Sequence, residues 1–453
     1  MTRDMTSGSP LKLIIGFAVP LLLGTLFQYF YSITDTMIVS RILGESALAA
    51  VGSTGSMFFL ILGFCGGLSG GFVIHIAQSF GAKNYAELKR FAGNIIWLYA
   101  IFSVVITVIA VIFCRSILEL LNTPFDIIDM AYDYLIIIFW GIPAVFAYNT
   151  LAGMIRSLGD SRSPFILLVI SSLINIGLDF LFILAFGWGM TGVALATVIS
   201  QIFSVFGCIF LIIKKFDILH VTRADLKPSM PHIKKLLENG IPMGLLFSVT
   251  GIGSVFLQAS VNALGSLSVA AIAAASRFDG ICSMITVSIG QAVTTFSAQN
   301  MGAGNVDRIK KGVRTGVIIG LIYSIIAFLI ILLFGRTMAL LFIDADSTEL
   351  LDLTYQYMLT CAVFFWAQSL IHTVRLSIQG LGYGKVVLVA GLLEMVARGA
   401  VGIIFVPLFG FTAACFASPA AWIIADLFII PAFIIIMKRV ARKIETEKNL
   451  VTA

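Results

Sequence analysis

Residues 78–84 read Gln-Ser-Phe-Gly-Ala-Lys-Asn, and residues 299–305 read Gln-Asn-Met-Gly-Ala-Gly-Asn. Each stretch ends a long apolar run, and each is followed five residues later by a basic pair, Lys89–Arg90 and Lys310–Lys311. Two segments with the same polar residues at the same spacing point to one plan used twice. Working outward at an offset of about 222 residues, Pro20 in FAVP meets Pro242 in GIPM, and LGESALAAVG at 43 meets LGSLSVAAIA at 264. RSLGDS at 156 meets QGLGYG at 379, and GMTGVALAT at 189 meets GFTAACFAS at 410. Duplication is the economical explanation.

The material between these motifs decides what was duplicated. Of 453 residues, 59% are apolar and 11% charged, against roughly 25% charged in an average soluble domain. The apolar residues come in blocks of about 20, the length of helix that crosses a hydrocarbon core. Twelve such blocks are legible, six on each side of a polar segment carrying Pro228 and Pro231. The expected fold is therefore an all-α integral membrane protein of twelve transmembrane helices, in two parallel, pseudo-symmetric six-helix bundles. Residues 1–213 form the first lobe, 214–240 a cytoplasmic linker, 241–437 the second lobe and 438–453 a cytoplasmic tail. Because six is even, both halves enter the membrane from the same side. The first apolar run is too long for a signal h-region and has no small-residue cleavage site after it, so it reads as a retained helix.

The net charge of +6 invites a nucleic-acid reading, but the basic residues sort by loop. Most of the 29 lie in alternate connections, with three on the other side (Arg41, Arg115, Arg336) and two inside helices (Arg277, Arg398). The positive-inside rule then places both termini in the cytoplasm of a multi-pass inner-membrane protein, with the bilayer, not nucleic acid, as its surroundings. The six cysteines fall in or at the end of apolar blocks without CxxC spacing and read as packing residues. DDxxD, HExxH and GxSxG are absent, so nothing supports an enzyme.

Taken in order, P-x14-D in the first helix (Pro20, Asp35), ALAAVG, the two QxxGAxN motifs, RSxGD at 156–160, NxxxD (Asn175, Asp179) and GVALAT make the chain resemble the multidrug and toxic compound extrusion (MATE) family, nearer its DinF-like branch. The resemblance runs from Pro20 to about Lys438. It implies a secondary antiporter that exports amphipathic, often cationic organic compounds by alternating access in exchange for H⁺ or Na⁺. It implies no cofactor beyond the transported ion. A monomer is expected.

Ionisable groups at membrane depth are costly and mark function by default. At about 1.5 Å per residue, Asp35 lies roughly 8 Å, Thr197 roughly 10 Å and Asp179 roughly 11 Å from the outer ends of their helices. Gln28 and Asp35, Asn175 and Asp179, and Thr197 and Gln201 are spaced seven, four and four residues apart, so each helix shows its polar residues on one face. The family's cation site transfers onto Asp35, Asn175, Asp179 and Thr197, which would also ligate Na⁺ if Na⁺ is the coupling ion. Hard oxygen donors suit a small cation. Gln28, Asn149, Gln201 and Asp426 are the expected lining of a substrate cavity. Two close carboxylates in a low dielectric cannot both ionise cheaply, which is the chemistry an antiporter needs.

The second half lacks this pair: Asp35 falls on Leu257 and Asn175 on Arg398. Its deep charges are Arg277, Asp279, Glu394, Arg398 and Asp426, with Glu394 and Arg398 spaced for an intrahelical ion pair. His75 and His372 read as packing residues, and the glycines at 63, 66, 67, 70 and 71 as a close-packing face. A lipid-linked oligosaccharide flippase or a narrow-specificity metabolite exporter of the same superfamily is the alternative. The flippase reading would require about fourteen helices and a basic cavity.

Overall fold

Peptide groups inside a bilayer have no water to bond, so a chain this apolar must satisfy them within helices. The structure, a computed structural model, describes residues 2–121, 123–344 and 346–452; Met1, Asn122, Ala345 and Ala453 lie outside the described residues. The first half contains α1 (Pro10–Leu43), α2 (Glu45–Phe72), α3 (Ile74–Gly81), α4 (Tyr85–Leu120), α5 (Ile128–Trp140), α6 (Ile142–Ser157), α7 (Arg162–Phe180) and α8 (Gly189–Lys215). The second contains α9 (Met230–Asn262), α10 (Ser266–Gly302), α11 (Val306–Ala339), α12 (Thr348–Val363), α13 (Phe365–Gly380), α14 (Gly384–Ala400), α15 (Val406–Phe409), α16 (Phe411–Cys415) and α17 (Ala417–Thr452). Among the described residues, ten helices are each long and apolar enough to cross a membrane, and two bent pairs, α5–α6 at 46° and α12–α13 at 50°, each taken as one span, bring the number to twelve. An even number returns both ends of the chain to one side.

The duplication reappears as backbone geometry. Lys83 and Gly304 both take left-handed φ, 56° and 66°, and the next residue caps the following helix. Asn84 Oδ1 accepts from the Glu87 amide at 3.1 Å, and Asn305 Oδ1 from the Arg308 amide at 3.2 Å. The repeated motif is thus a tight helix-to-helix turn whose asparagine satisfies an amide that the helix start would leave orphaned. The bends also correspond. Pro143, in the first turn of α6, cannot donate and breaks the ladder at Gly141; the second bend has the same place at Phe364 without a proline. Helices α7 and α14 both run on into a π turn, Leu181–Ala185 and Val401–Phe405.

By packing, the chain forms two units. One holds the segment ending at Asp4 together with Val19–Phe247; the other holds Met5–Ala18 and everything from Ser248 onward. The connection and the start of α9 therefore pack with the first unit, and the start of α1 with the second. In the first unit the connection is anchored rather than loose. Phe216 and Leu219 are buried, the Trp97 indole donates to the Leu226 carbonyl at 2.7 Å, and the Ser229 amide donates to Asn94 Oδ1 at 2.9 Å. The Thr222 hydroxyl and amide both donate to Asp225, which holds that carboxyl below the usual carboxylate range. His75 stacks on Phe91 with ring centroids 4.9 Å apart. Its Nε2 lies 3.0 Å from Asn239 Nδ2 and 3.1 Å from the Lys235 carbonyl. In the second unit, the buried main chain of Met5 is held by Gln299, Asn300 and Arg308.

The glycine face of α2 meets the start of α9. A Cβ at Gly67 would overlap the Met243 carbonyl, and one at Gly71 would lie 2.5 Å from the Gly240 Cα. Backbone meets backbone there, so neither side can yield as a side-chain tip would. Gly67→Val is expected to cost on the order of 1–3 kcal/mol, the range for overpacking. A lower thermal midpoint of the detergent-solubilised protein is the check, with Gly52→Ala, which meets open space, as the unaffected control.

Candidate functional site

The first unit brings side chains from four helices to one place. Asp35 and Tyr31 come from α1 one turn apart, Tyr134 from α5, Asn175 and Asp179 from α7, and Thr197 and Gln201 from α8. The Asp35 and Asp179 carboxylates face each other, and Tyr31 and Tyr134 lie beside both. No hydrogen bond of good geometry joins the two acids: Asp179 has neither oxygen partnered and Asp35 has Oδ1 unpartnered, all buried. Asn175, with no exposed surface, leaves both its amide nitrogen and oxygen unused, and Gln201 leaves Oε1 unused. The Thr197 hydroxyl donates to the Val193 carbonyl at 3.2 Å and lies beside the Tyr31 hydroxyl.

Burying an unsatisfied polar group costs about 1–3 kcal/mol, and more for a charge. Six such atoms from α1, α7 and α8 gather here, and a bound proton or cation would offset their cost. The surplus is of acceptor oxygens, which is what a small cation or a proton on a carboxylate requires.

A cavity of about 50 Å³ opens on this cluster, lined among others by Gln28, Tyr31, Ser171, Asn175, Thr197 and Gln201. One water needs roughly 10–15 Å³ of such space, so the cavity takes a few waters or a small ion. Organic ligands fill pockets of about 300–1,000 Å³. Gln28 and Gln201, read from sequence as substrate lining, thus share the small cavity of Asn175 and Thr197. Asn149 does not line it; its amide donates to the Val145 carbonyl at 2.9 Å within its own helix.

Asp426 belongs to the second unit, on α17. There Glu394 meets Arg375 of α13 at 2.6 Å. Arg398, the expected intrahelical partner, is farther, at 3.9 Å from the other Glu394 oxygen. The expected intrahelical pair is therefore present, and Arg375 is the partner the sequence did not offer, because a contact from α13 to α14 has no periodic signature, whereas i,i+4 spacing does. Tyr31 could have been found, since it sits four residues before Asp35 on the same face; Tyr134 carried no local signal.

The MatE family profile matches the chain twice, at residues 20–181 and 241–415. The chain belongs to the MATE family. The double match repeats the internal duplication, one copy in each half. The chain is similar to a probable multidrug resistance protein, YoeA, of Bacillus subtilis, 34% identical over 73% of each chain. It is also similar to an FAD transporter of Shewanella oneidensis, 24% identical over 78% of each. Among solved structures, the outward-facing conformation of a multidrug resistance MATE transporter matches with a TM-score of 0.90, covering 96% of this chain and 98% of that one at 23% identity. The protein is a multi-pass membrane transporter of a multidrug efflux family, and its twelve-helix fold is the MATE fold.

Within a MATE protein the orphaned amide of Asn175 separates packing from ligand binding. If it serves a ligand, Asn175→Leu removes an unsatisfied buried amide at similar volume. The thermal midpoint of the ion-free protein is then expected to stay level or rise, while a midpoint lowered by more than a few degrees would identify a structural role.

Proposed function

We propose that the protein exports amphipathic organic compounds across the cytoplasmic membrane in exchange for a cation bound at Asp35 and Asp179, with Asn175 and Thr197 as further oxygen ligands. One observation supports this reading most: two facing carboxylates without a basic partner, whose buried oxygens are unpaired, beside a cavity lined by Asn175 and Thr197 that is too small for an organic molecule. Two facing carboxylates repel strongly in a low dielectric, so the pair holds a proton or a cation in at least one state of the cycle. A proton would sit on one acid and use its neighbour as acceptor. A Na⁺ ion would use the orphaned oxygens of both acids and of Asn175. Loading and unloading the pair changes its charge and hydrogen bonding, and that is the event which export of the organic compound must be tied to.

Under this reading Gln28 and Gln201 border the ion site and the organic compound binds elsewhere along the transport path. The protein works as a monomer of two lobes in an alternating-access cycle. The FAD-transporting relative supports a second reading, in which the exported compound is a single metabolite rather than a range of lipophilic cations. The antiport step is the same in both.

Purified protein in liposomes, with a Na⁺ gradient and a pH gradient imposed separately, tests the coupling. A lipophilic cationic dye and an anionic flavin serve as alternative cargoes. Asp35→Asn and Asp179→Asn are each expected to lower gradient-driven export at least tenfold while leaving membrane insertion intact. Undiminished export by both variants would sink the site.

A further inference from the structure

The second unit carries a buried charge network that the reading above does not use. Glu394 and Arg398 on α14 occupy, in the register that aligns RSLGDS with QGLGYG, the places of Ser171 and Asn175. Those two residues line the ion cavity of the first unit. What is an ion-sized cavity in one half is therefore filled by fixed charges in the other.

Five charged side chains enter this network. Arg375 of α13 and Arg398 of α14 both reach Glu394, Asp279 of α10 lies near Arg398 and Gln368, and Asp426 of α17 lies near Glu394 and Arg375. His372 of α13 lies near both arginines. Its Nδ1 is engaged with the Thr286 hydroxyl at 2.9 Å. Two guanidiniums against three carboxylates leave an odd negative charge inside the bilayer, where isolated charge is expensive.

Hydrogen bonding ranks the three acids: Asp279 leaves one buried oxygen unpartnered and Asp426 leaves both. Glu394 uses one oxygen on Arg375 and the other toward Arg398. Asp426 is 5% exposed and has neither oxygen partnered. At the same time the Nε donors of Arg375 and Arg398 are buried and unused. An orphaned acid and orphaned donors thus lie in one network, each able to complete the other.

We propose that Asp426 is a proton-binding group of the second unit, which exchanges its proton for contact with the Arg375 guanidinium now held by Glu394. A proton is the fitting ligand rather than an alkali ion. An alkali ion needs several oxygens around it, and here the Glu394 oxygens are engaged by two guanidiniums that repel a metal cation. The step balances simply: the Asp426 carboxyl gives its proton to water and becomes carboxylate, and Arg375 supplies the compensating charge. For its role in transport this inference rests on the antiporter reading; for its chemistry it does not.

The test reads carboxyl protonation directly, by pH-difference infrared spectroscopy of the purified full chain in lipid. Wild type is expected to show a protonated-carboxyl stretch that persists in the Asp35→Asn/Asp179→Asn double variant and disappears on adding Asp426→Asn. Asp426→Glu, which keeps the acid, is expected to retain the band at a displaced frequency, so the assignment does not hang on the asparagine variant folding. A band unchanged by Asp426→Asn, or one removed by Na⁺ at constant pH, overturns the proposal. A wild type that moves neither dye nor flavin in liposomes would overturn the antiporter reading while leaving the infrared assignment standing.

Discussion

Inside the bilayer every polar group must be satisfied by the protein itself, because hydrocarbon offers no hydrogen bonds. For the main chain this constraint selects helices. For helix ends it selects caps, and the repeated Gln-Gly-Ala-Asn motif meets it twice, with Asn84 and Asn305 each accepting from the amide three residues on. For side chains it makes the exceptions informative. Asp35, Asn175, Asp179 and Gln201 leave buried atoms unpaired in one unit, and Asp426 does so in the other. Where such atoms gather on acids and amides that face one another, a proton or a small cation is the partner that would complete them.

The two halves share a frame and differ in what it encloses. Turn geometry, the bends at Gly141 and Phe364, and the π turns after α7 and α14 correspond from one half to the other. At equivalent positions, however, the first half has hydroxyl and amide groups around an ion-sized cavity, and the second has Glu394 and Arg398. A serine–asparagine face leaves room and acceptor oxygens; a glutamate–arginine face fills the room and neutralises itself. Duplication has thus kept the scaffold, which answers to helix packing, and changed the interior, which answers to chemistry.

Close packing of the first unit depends on residues without side chains. The α2 face bearing Gly67 and Gly71 lets the α9 backbone approach directly. In hydrocarbon, where apolar side chains gain nothing by leaving lipid, such approach is a main source of helix association. His75 and the anchored connection belong to the same unit, and their polar atoms are bonded rather than free.

The sequence by itself determined the class, the twelve spans, their division into six and six, the duplication and the family, because each depends on composition, block length or local motifs. It also showed that Asn175 and Asp179, and Thr197 and Gln201, recur at helical spacing, one polar face per helix, since helical periodicity is a local quantity. Only the tertiary structure decided which faces meet. It put Tyr134 beside the acid pair, drew Gln28 and Gln201 into the small cavity, left Asn149 bonded to its own helix and gave Glu394 to Arg375 before Arg398. It also packed the start of α1 with the second unit and the start of α9 with the first. Contacts between residues a hundred or more positions apart depend on how helices rotate and cross, and no local pattern in the chain records that.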